Sequence, residues 1–314
     1  MNILIRVLPF FLLALTAANA QSRVCGFDPN LNQTFTPPPS SVLRLPGDVF
    51  VIPTVVHVIH NTSDLIGVGT NISDAQVLSA IANLNSIYRN TSGQSVDMEI
   101  EFCLAKVDPL GNTTNGIDRI SLLNYPGPAV VGPASSSLLG SEIQFYAQYS
   151  WDALSYMNIW VAPSIYARAP SGQLYSLWGM APIPSYDGLQ GTSLDGVWMR
   201  NDEFGSIGTA YNTSNGWLAH EVGHYLNLLH LSDGACDDRD QLGDTPKYDA
   251  QGIITLSQNP NYVCGTTYSP NCTVSQPAFV PDFIMIGTAE QDFDRCYVRF
   301  TTGQRNWVDQ SFAL

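Results

Sequence analysis

Eleven residues, His220 to His230, constrain this chain more than any other stretch. They read His-Glu-Val-Gly-His-Tyr-Leu-Asn-Leu-Leu-His. Each residue of an α-helix advances about 100°, so His220 and His224 stack on one face about 6 Å apart. Two imidazoles at that spacing can grip one Zn²⁺ at roughly 2.0–2.1 Å each. Glu221 then sits beside the ion but off the ligand axis, placed to take a proton from a water that the ion polarises. A third ligand requires the chain to turn. Were the helix to run on, His230 would lie about 9 Å further along its axis. Asn227 stands at the break point, because Asn tolerates the left-handed conformation that commonly ends helices. Of five histidines in the chain, three fall within this run. The bland alternative is an amphipathic helix with surface histidines. His57 and His60, at the end of a strand, read as structural.

The ends of the chain set the context. Arg6 is followed by an almost wholly apolar run, Val7 to Leu15, and by the small residues Ala18-Asn19-Ala20. This is the pattern of a signal peptide over residues 1–20, too short to span roughly 30 Å of hydrocarbon. Export predicts bridges among the six cysteines Cys25, Cys103, Cys236, Cys264, Cys272 and Cys296. Sequons begin at Asn32, Asn61, Asn71, Asn90, Asn112, Asn212 and Asn271, marking surface loops that a glycosylating host would modify. A net charge of −14 argues against nucleic acid and anionic membrane as partners. The expected species is a secreted, extracellular monomer.

Residues 21–47 carry Thr36-Pro37-Pro38-Pro39 and read as an extended lead-in or short pro-segment. A catalytic domain fills 48–314. Val51 to Ile59 reads as a buried strand. Ser73 is a candidate N-cap for a helix whose face is Val77, Ile81, Leu84 and Tyr88. Val96 to Leu104 alternates like a half-buried strand, Met157 to Val161 is another, and Leu194 to Met199 a weaker one. A helix is expected around Ser141 to Tyr149, and the histidine helix starts near Trp217. Beyond Leu231 the chain turns irregular, rich in Pro, Gly, Asp and Cys. Such a segment needs cross-links or metal to hold it. Asp237, Asp238, Asp240 and Asp244 crowd its start, and clustered carboxylates suit Ca²⁺, though a solvated acidic loop is equally consistent.

These features together resemble the pappalysin/cytophagalysin family of metzincin zinc metalloproteases. Besides the histidine run, the resemblance rests on Ile52-Pro53-Thr54-Val55-Val56-His57-Val58-Ile59, Asn71-Ile72-Ser73-Asp74-Ala75-Gln76-Val77 and Ile100-Glu101-Phe102-Cys103-Leu104-Ala105. Asp108-Pro109, Gly116-Ile117, Trp151-Asp152, Met157-Asn158-Ile159-Trp160-Val161 and Asp244-Thr245-Pro246 extend it, over about residues 50–310. The resemblance implies an α+β fold in two parts. An upper subdomain, about 48–230, holds a twisted mixed five-stranded sheet and helices. A lower, irregular, disulfide-linked subdomain, about 231–314, follows, with the substrate cleft between them. It implies a Met-turn at Met285, the bridges Cys236–Cys272 and Cys264–Cys296, and calcium near the acidic loop. Cys25 stays open between a thiolate cap on the metal and a bridge to Cys103.

The implied activity is hydrolysis of protein or peptide substrates, with Zn²⁺ held by His220, His224 and His230 and Glu221 as the base. One departure stands out: Gly287 occupies the place, two residues after the Met, where the family usually has Tyr. Tyr297 is a candidate substitute, and the departure is the one support for an alternative reading as a catalytically weakened zinc-fold binding protein. Asp292 and Asp294 would favour basic side chains next to the cut.

Overall fold

A computed structural model of the chain describes residues 48–312 apart from 128–129, 134–137, 170, 212–215, 233–234, 258, 260, 262, 274–275 and 287–295. The expectations for the signal peptide, for residues 21–47, and for Cys25, Asn32, Asn212, Gly287, Asp292 and Asp294 lie outside the described residues.

The described chain builds nine strands in order: β1 (Phe50–His60), β2 (Ile100–Leu104), β3 (Ile117–Ser121), β4 (Val130–Val131), β5 (Met157–Ala162), β6 (Ile165–Arg168), β7 (Leu174–Leu177), β8 (Gly179–Met180) and β9 (Val197–Arg200). Its helices are α1 (Asp74–Tyr88), α2 (Gly140–Tyr149), α3 (Pro184–Asp187), α4 (Gly216–Tyr225), α5 (Ala250–Ser257) and α6 (Thr302–Phe312). The large sheet runs β2-β1-β5-β9-β8, and β3 also pairs with β1. All its pairings are parallel except β8 against β9. The sheet is therefore mixed and five positions wide. It contains six strands because β2 pairs with Phe50–Thr54 and β3 with Val56–His60, sharing one neighbour in succession.

A parallel strand buried on both faces reads as a continuous apolar run, and β1 does: Val55, Val56, Val58 and Ile59 are fully buried. Alternation then sorts its neighbours. Val56, Val58, Ile159, Val161, Val197 and Met199 pack with α1 and α4, whereas Ile59, Trp160, Ala162 and Trp198 pack with Phe145 and Tyr146 of α2. Ser73 caps α1, its hydroxyl accepting from the Gln76 N–H, and Val77, Ile81, Leu84 and Tyr88 are buried as the spacing requires. Two strands are shorter than their sequence patterns. Met98, Ile100, Phe102 and Leu104 are buried in alternation, but Glu99 has φ 53, and this left-handed residue delays β2 until Ile100. Residues 192–195 form a turn closed by Asp195 N–H donating to Thr192 O, so β9 starts only at Val197.

After His230 the irregular character holds. α5 and α6 are the helices there among the described residues, and isolated bridges such as Phe283↔Arg299 tie the loops. Cys236–Cys272 and Cys264–Cys296 are bonded as the resemblance implied, with separations of 36 and 32 residues. Loops of that length correspond to roughly 3–4 kcal/mol each of denatured-state entropy. Cys103 is also disulfide-bonded. One surface expectation fails. Asn71 is buried, its amide donating to Asp64 O while its oxygen accepts from Arg119, so that sequon has no room for a glycan; Asn61, Asn112 and Asn271 are exposed.

Candidate metal centre

The helix α4 is buried from Gly216 to His224 and points its histidine face into a cleft. Leu228 N–H donates to Gly223 O at 2.9 Å and Asn227 N–H to His224 O at 2.8 Å. With Asn227 at φ 70, these two bonds form the Schellman ending that the sequence anticipated. The break is clamped from outside. Asn227 Oδ1 accepts from Ser185 N–H at 3.0 Å, its Nδ2 donates to Ser311 Oγ at 3.1 Å, and its carbonyl accepts from Trp307 Nε1 at 2.8 Å.

The turn returns His230 to the helix face. His230 Nε2 lies 3.2 Å from His220 Nε2 and 3.1 Å from His224 Nε2. Nitrogens about 2.05 Å from one tetrahedral ion stand about 3.3 Å apart. The opposite ring nitrogens are spoken for: His220 Nδ1–H donates to Ile284 O at 2.7 Å and His224 Nδ1–H to Leu228 O at 2.8 Å. Those bonds put the protons on Nδ1 and leave the Nε2 lone pairs facing the shared point. Burial keeps all three rings neutral. It pushes His220 well below its ordinary value, reinforced by His224 and His230. It pushes His224 down to about 3 and, with Arg239 nearby, His230 down to about 4. Three neutral, convergent imidazoles, two of them anchored through Nδ1, fit a divalent ion. Among the described residues, this is the one cluster of three or more such donors.

Glu221 faces the same cleft, pushed up to about 8 by burial, with the Ala181 backbone amide working against the shift. A cation a few ångströms away would pull the carboxyl back toward its ionised form. The antiparallel edge strand β8 makes room for it. A Cβ at Gly179 would come within 2.9 Å of Glu221 Cγ and 2.6 Å of Met199 Sδ, so a larger residue there would push one of those side chains aside. Beneath α4 lies fully buried Met285, whose Sδ a side chain at Gly223 would strike. Its carbonyl accepts from Leu231 N–H at 3.2 Å, and Asp282, paired with Arg299, anchors the same turn.

The acidic residues do not converge. Asp237 accepts from Ser232 Oγ, Asp238 pairs with Lys247 at 3.0 Å, Asp240 accepts from Thr245 Oγ1, and Asp244 caps α6 through Gly303 N–H at 2.7 Å. Tyr297 is buried edge-on against Trp217 and is not among the described residues lining the cleft. Sequence reasoning missed the carbonyls of Ile284 and Leu228, the clearance at Gly179, and the cleft walls Trp178 and Trp217. Of these, only Trp217 had a signal, one helical turn before His220.

Comparisons with known proteins agree with this geometry. The model of the peptidase M43 family, described as pregnancy-associated plasma protein-A, matches residues 140–310. Extracellular metalloproteases of Arthroderma otae and Arthroderma benhamiae are 29% and 30% identical over 162 residues, 50% of this chain and 51% of theirs. The matching stretch thus spans about half the length of those curated relatives. Mature mirolysin of Tannerella forsythia, solved in complex with a cleaved peptide, is similar at a TM-score of 0.59 and 28% identity, over 83% of this chain and 90% of mirolysin. A promirolysin mutant gives a TM-score of 0.60 at 27% identity, over 89% of this chain and 84% of that one.

Proposed function

The chain belongs to the peptidase M43 family, and on that premise we propose that it is a secreted zinc metalloendopeptidase. The observation that carries the reading is the convergence of the His220 and His224 Nε2 atoms on His230 Nε2, at 3.2 and 3.1 Å, beside the buried Glu221 carboxyl. His220, His224 and His230 would hold the ion, and Glu221 would be the general base. When bound, Zn²⁺ supplies Lewis acidity, lowering the pKa of a coordinated water toward ~7 and polarising a peptide carbonyl. Glu221 takes the proton of the attacking water and delivers it to the leaving amine. The closeness of β8 fixes that carboxyl, so it need not reorganise between the two transfers. Ile284 and Leu228 hold the ligand rings in the tautomer that binds. Met285 supports the helix from below without acting as a ligand.

Residues 1–20 direct export in this reading, consistent with relatives named extracellular metalloproteases. The described residues contain no helix long and apolar enough to cross a membrane. The catalytic domain occupies 48–314, and its partners are protein or peptide substrates. The test is hydrolysis of casein by the purified protein, with metal content measured in parallel. Chelation should abolish cleavage and zinc should restore it. Glu221→Gln should lower turnover about 10²–10⁴-fold while zinc stays near one per chain. Undiminished turnover in that variant would remove Glu221 from its role.

A further inference from the structure

The chain changes sheets at the mouth of the cleft. β7 pairs with β6 in a three-stranded sheet, while β8, one residue later, pairs with β9 in the large one. The residue between them is Trp178, whose carbonyl is fixed by Arg200 N–H at 2.9 Å. Its half-buried ring meets Trp217 at 5.0 Å between centroids, tilted by 41°. Trp217 in turn stands edge-on to His220 at 5.8 Å and is braced by Tyr297 at 6.1 Å. Both tryptophans line the cleft, about 380 Å³ in volume, together with Leu177, Met180 and Ala181. Among the described lining residues, Glu221 is the one ionisable side chain apart from the histidines.

Resting on the reading of this centre as a peptide-hydrolysing site, we propose that Trp178 and Trp217 select substrates with an aromatic or bulky aliphatic side chain beside the cut bond. Tryptophan faces attract rings and cations alike. Here the two are separated by the neighbouring charge. A lysine or arginine side chain on Trp217 would stand one ring away from a divalent ion, and like charges at that range repel. An acidic side chain would face Glu221 and would compete for the ion as a ligand. A neutral ring or a leucine meets neither obstacle and covers apolar surface on Trp178, which buried Trp217 backs.

The experiment uses the zinc-loaded protein and quenched fluorogenic peptides carrying Phe, Leu, Ala, Arg or Glu at each residue flanking the cut. On one side of the bond, kcat/KM for Phe and Leu should exceed that for Ala by about tenfold. Trp178→Ala should collapse the ratio toward one, and Trp178→Phe should keep most of it. A second readout needs no turnover. Tryptophan emission of the Glu221→Gln protein should report tighter binding of the Phe peptide than of the Ala peptide, and the difference should vanish when Trp178→Ala is added. A preference for Arg, a flat profile, or a ratio that survives Trp178→Ala overturns the proposal. If no peptide is cleaved, the hydrolase reading falls, while the emission titration decides the selectivity independently.

Discussion

Two buried histidine sites in this molecule make opposite use of the same side chain. His57, on β1, is fully buried. Its Nε2–H donates to Asn158 Oδ1 at 2.8 Å, its Nδ1 faces Asp118 at 3.4 Å, and its ring stacks on Trp160 at 4.2 Å. Asn158 is held in turn by Trp151, accepting from its N–H at 2.9 Å and donating to its carbonyl at 3.0 Å. The protein satisfies Nε2 of that imidazole, while Nδ1 makes no hydrogen bond and faces only the Asp118 carboxylate. At the other site, carbonyls satisfy Nδ1 of His220 and His224, and the Nε2 atoms meet only one another. With Nδ1 of His220 and His224 donating to carbonyls, both Nε2 lone pairs face His230 Nε2, an arrangement that a cation at its centre would stabilise. Burial alone therefore does not mark a metal ligand; the direction of the second nitrogen does.

The sharpest way to break this comparison is to remove one histidine from each site. His230→Ala should reduce zinc from one per chain to near none after dialysis and bring proteolysis to background. His57→Ala should leave zinc near one per chain but lower stability by about 3 kcal/mol, through the cavity and the lost hydrogen bond to Asn158 Oδ1. Metal analysis beside thermal unfolding distinguishes the two, and loss of zinc in His57→Ala would erase the contrast.

A carboxylate offers the intermediate case. Asp195 is 6% exposed, accepts one bond from Gly191 N–H at 2.7 Å, and is pushed by burial from 3.8 up to about 6. The folded state holds this proton more tightly than the unfolded chain does. Stability is accordingly lost as pH rises from about 4 through 6. Asp195→Asn keeps the acceptor and should stabilise the protein by about 2 kcal/mol at pH 8, with the gain fading toward pH 4. Urea midpoints at the two pH values check it; an equal gain at both would mean that ionisation is not the cause.

The smallest effect concerns the turn. Asn227→Ala should cost about 1 kcal/mol and weaken zinc retention, because alanine resists φ 70 and loses the bonds to Ser185 and Ser311. Asn227→Gly should recover the backbone part. Equal losses in both variants would place the whole effect in the side-chain bonds.

Much of this protein was legible because its determinants are local. The apolar run of β1, the alternation in β2, the Ser73 cap and the left-handed Asn227 depend on residues within one or two turns. The pairing of β2 and β3 along one edge of β1 was not legible, since register between distant strands leaves no periodic trace. The charge density at Asp237, Asp238, Asp240 and Asp244 is visible in a sequence, whereas the protein groups that meet these carboxylates, Ser232, Lys247, Thr245 and Gly303, are not.

By itself, then, the sequence determined a helix with two histidines on one face, a break after it, and a third histidine within reach. Helical geometry and the conformational tolerance of Asn are enough for that. Only the tertiary structure decided that the three rings converge and that His220 and His224 carry their protons on Nδ1. The groups responsible come from elsewhere in the chain: Ile284 bonds His220, Met285 packs under Gly223, and Gly179 clears space for Glu221. Such contacts arise from packing across more than forty residues of intervening chain, and no short-range pattern encodes them.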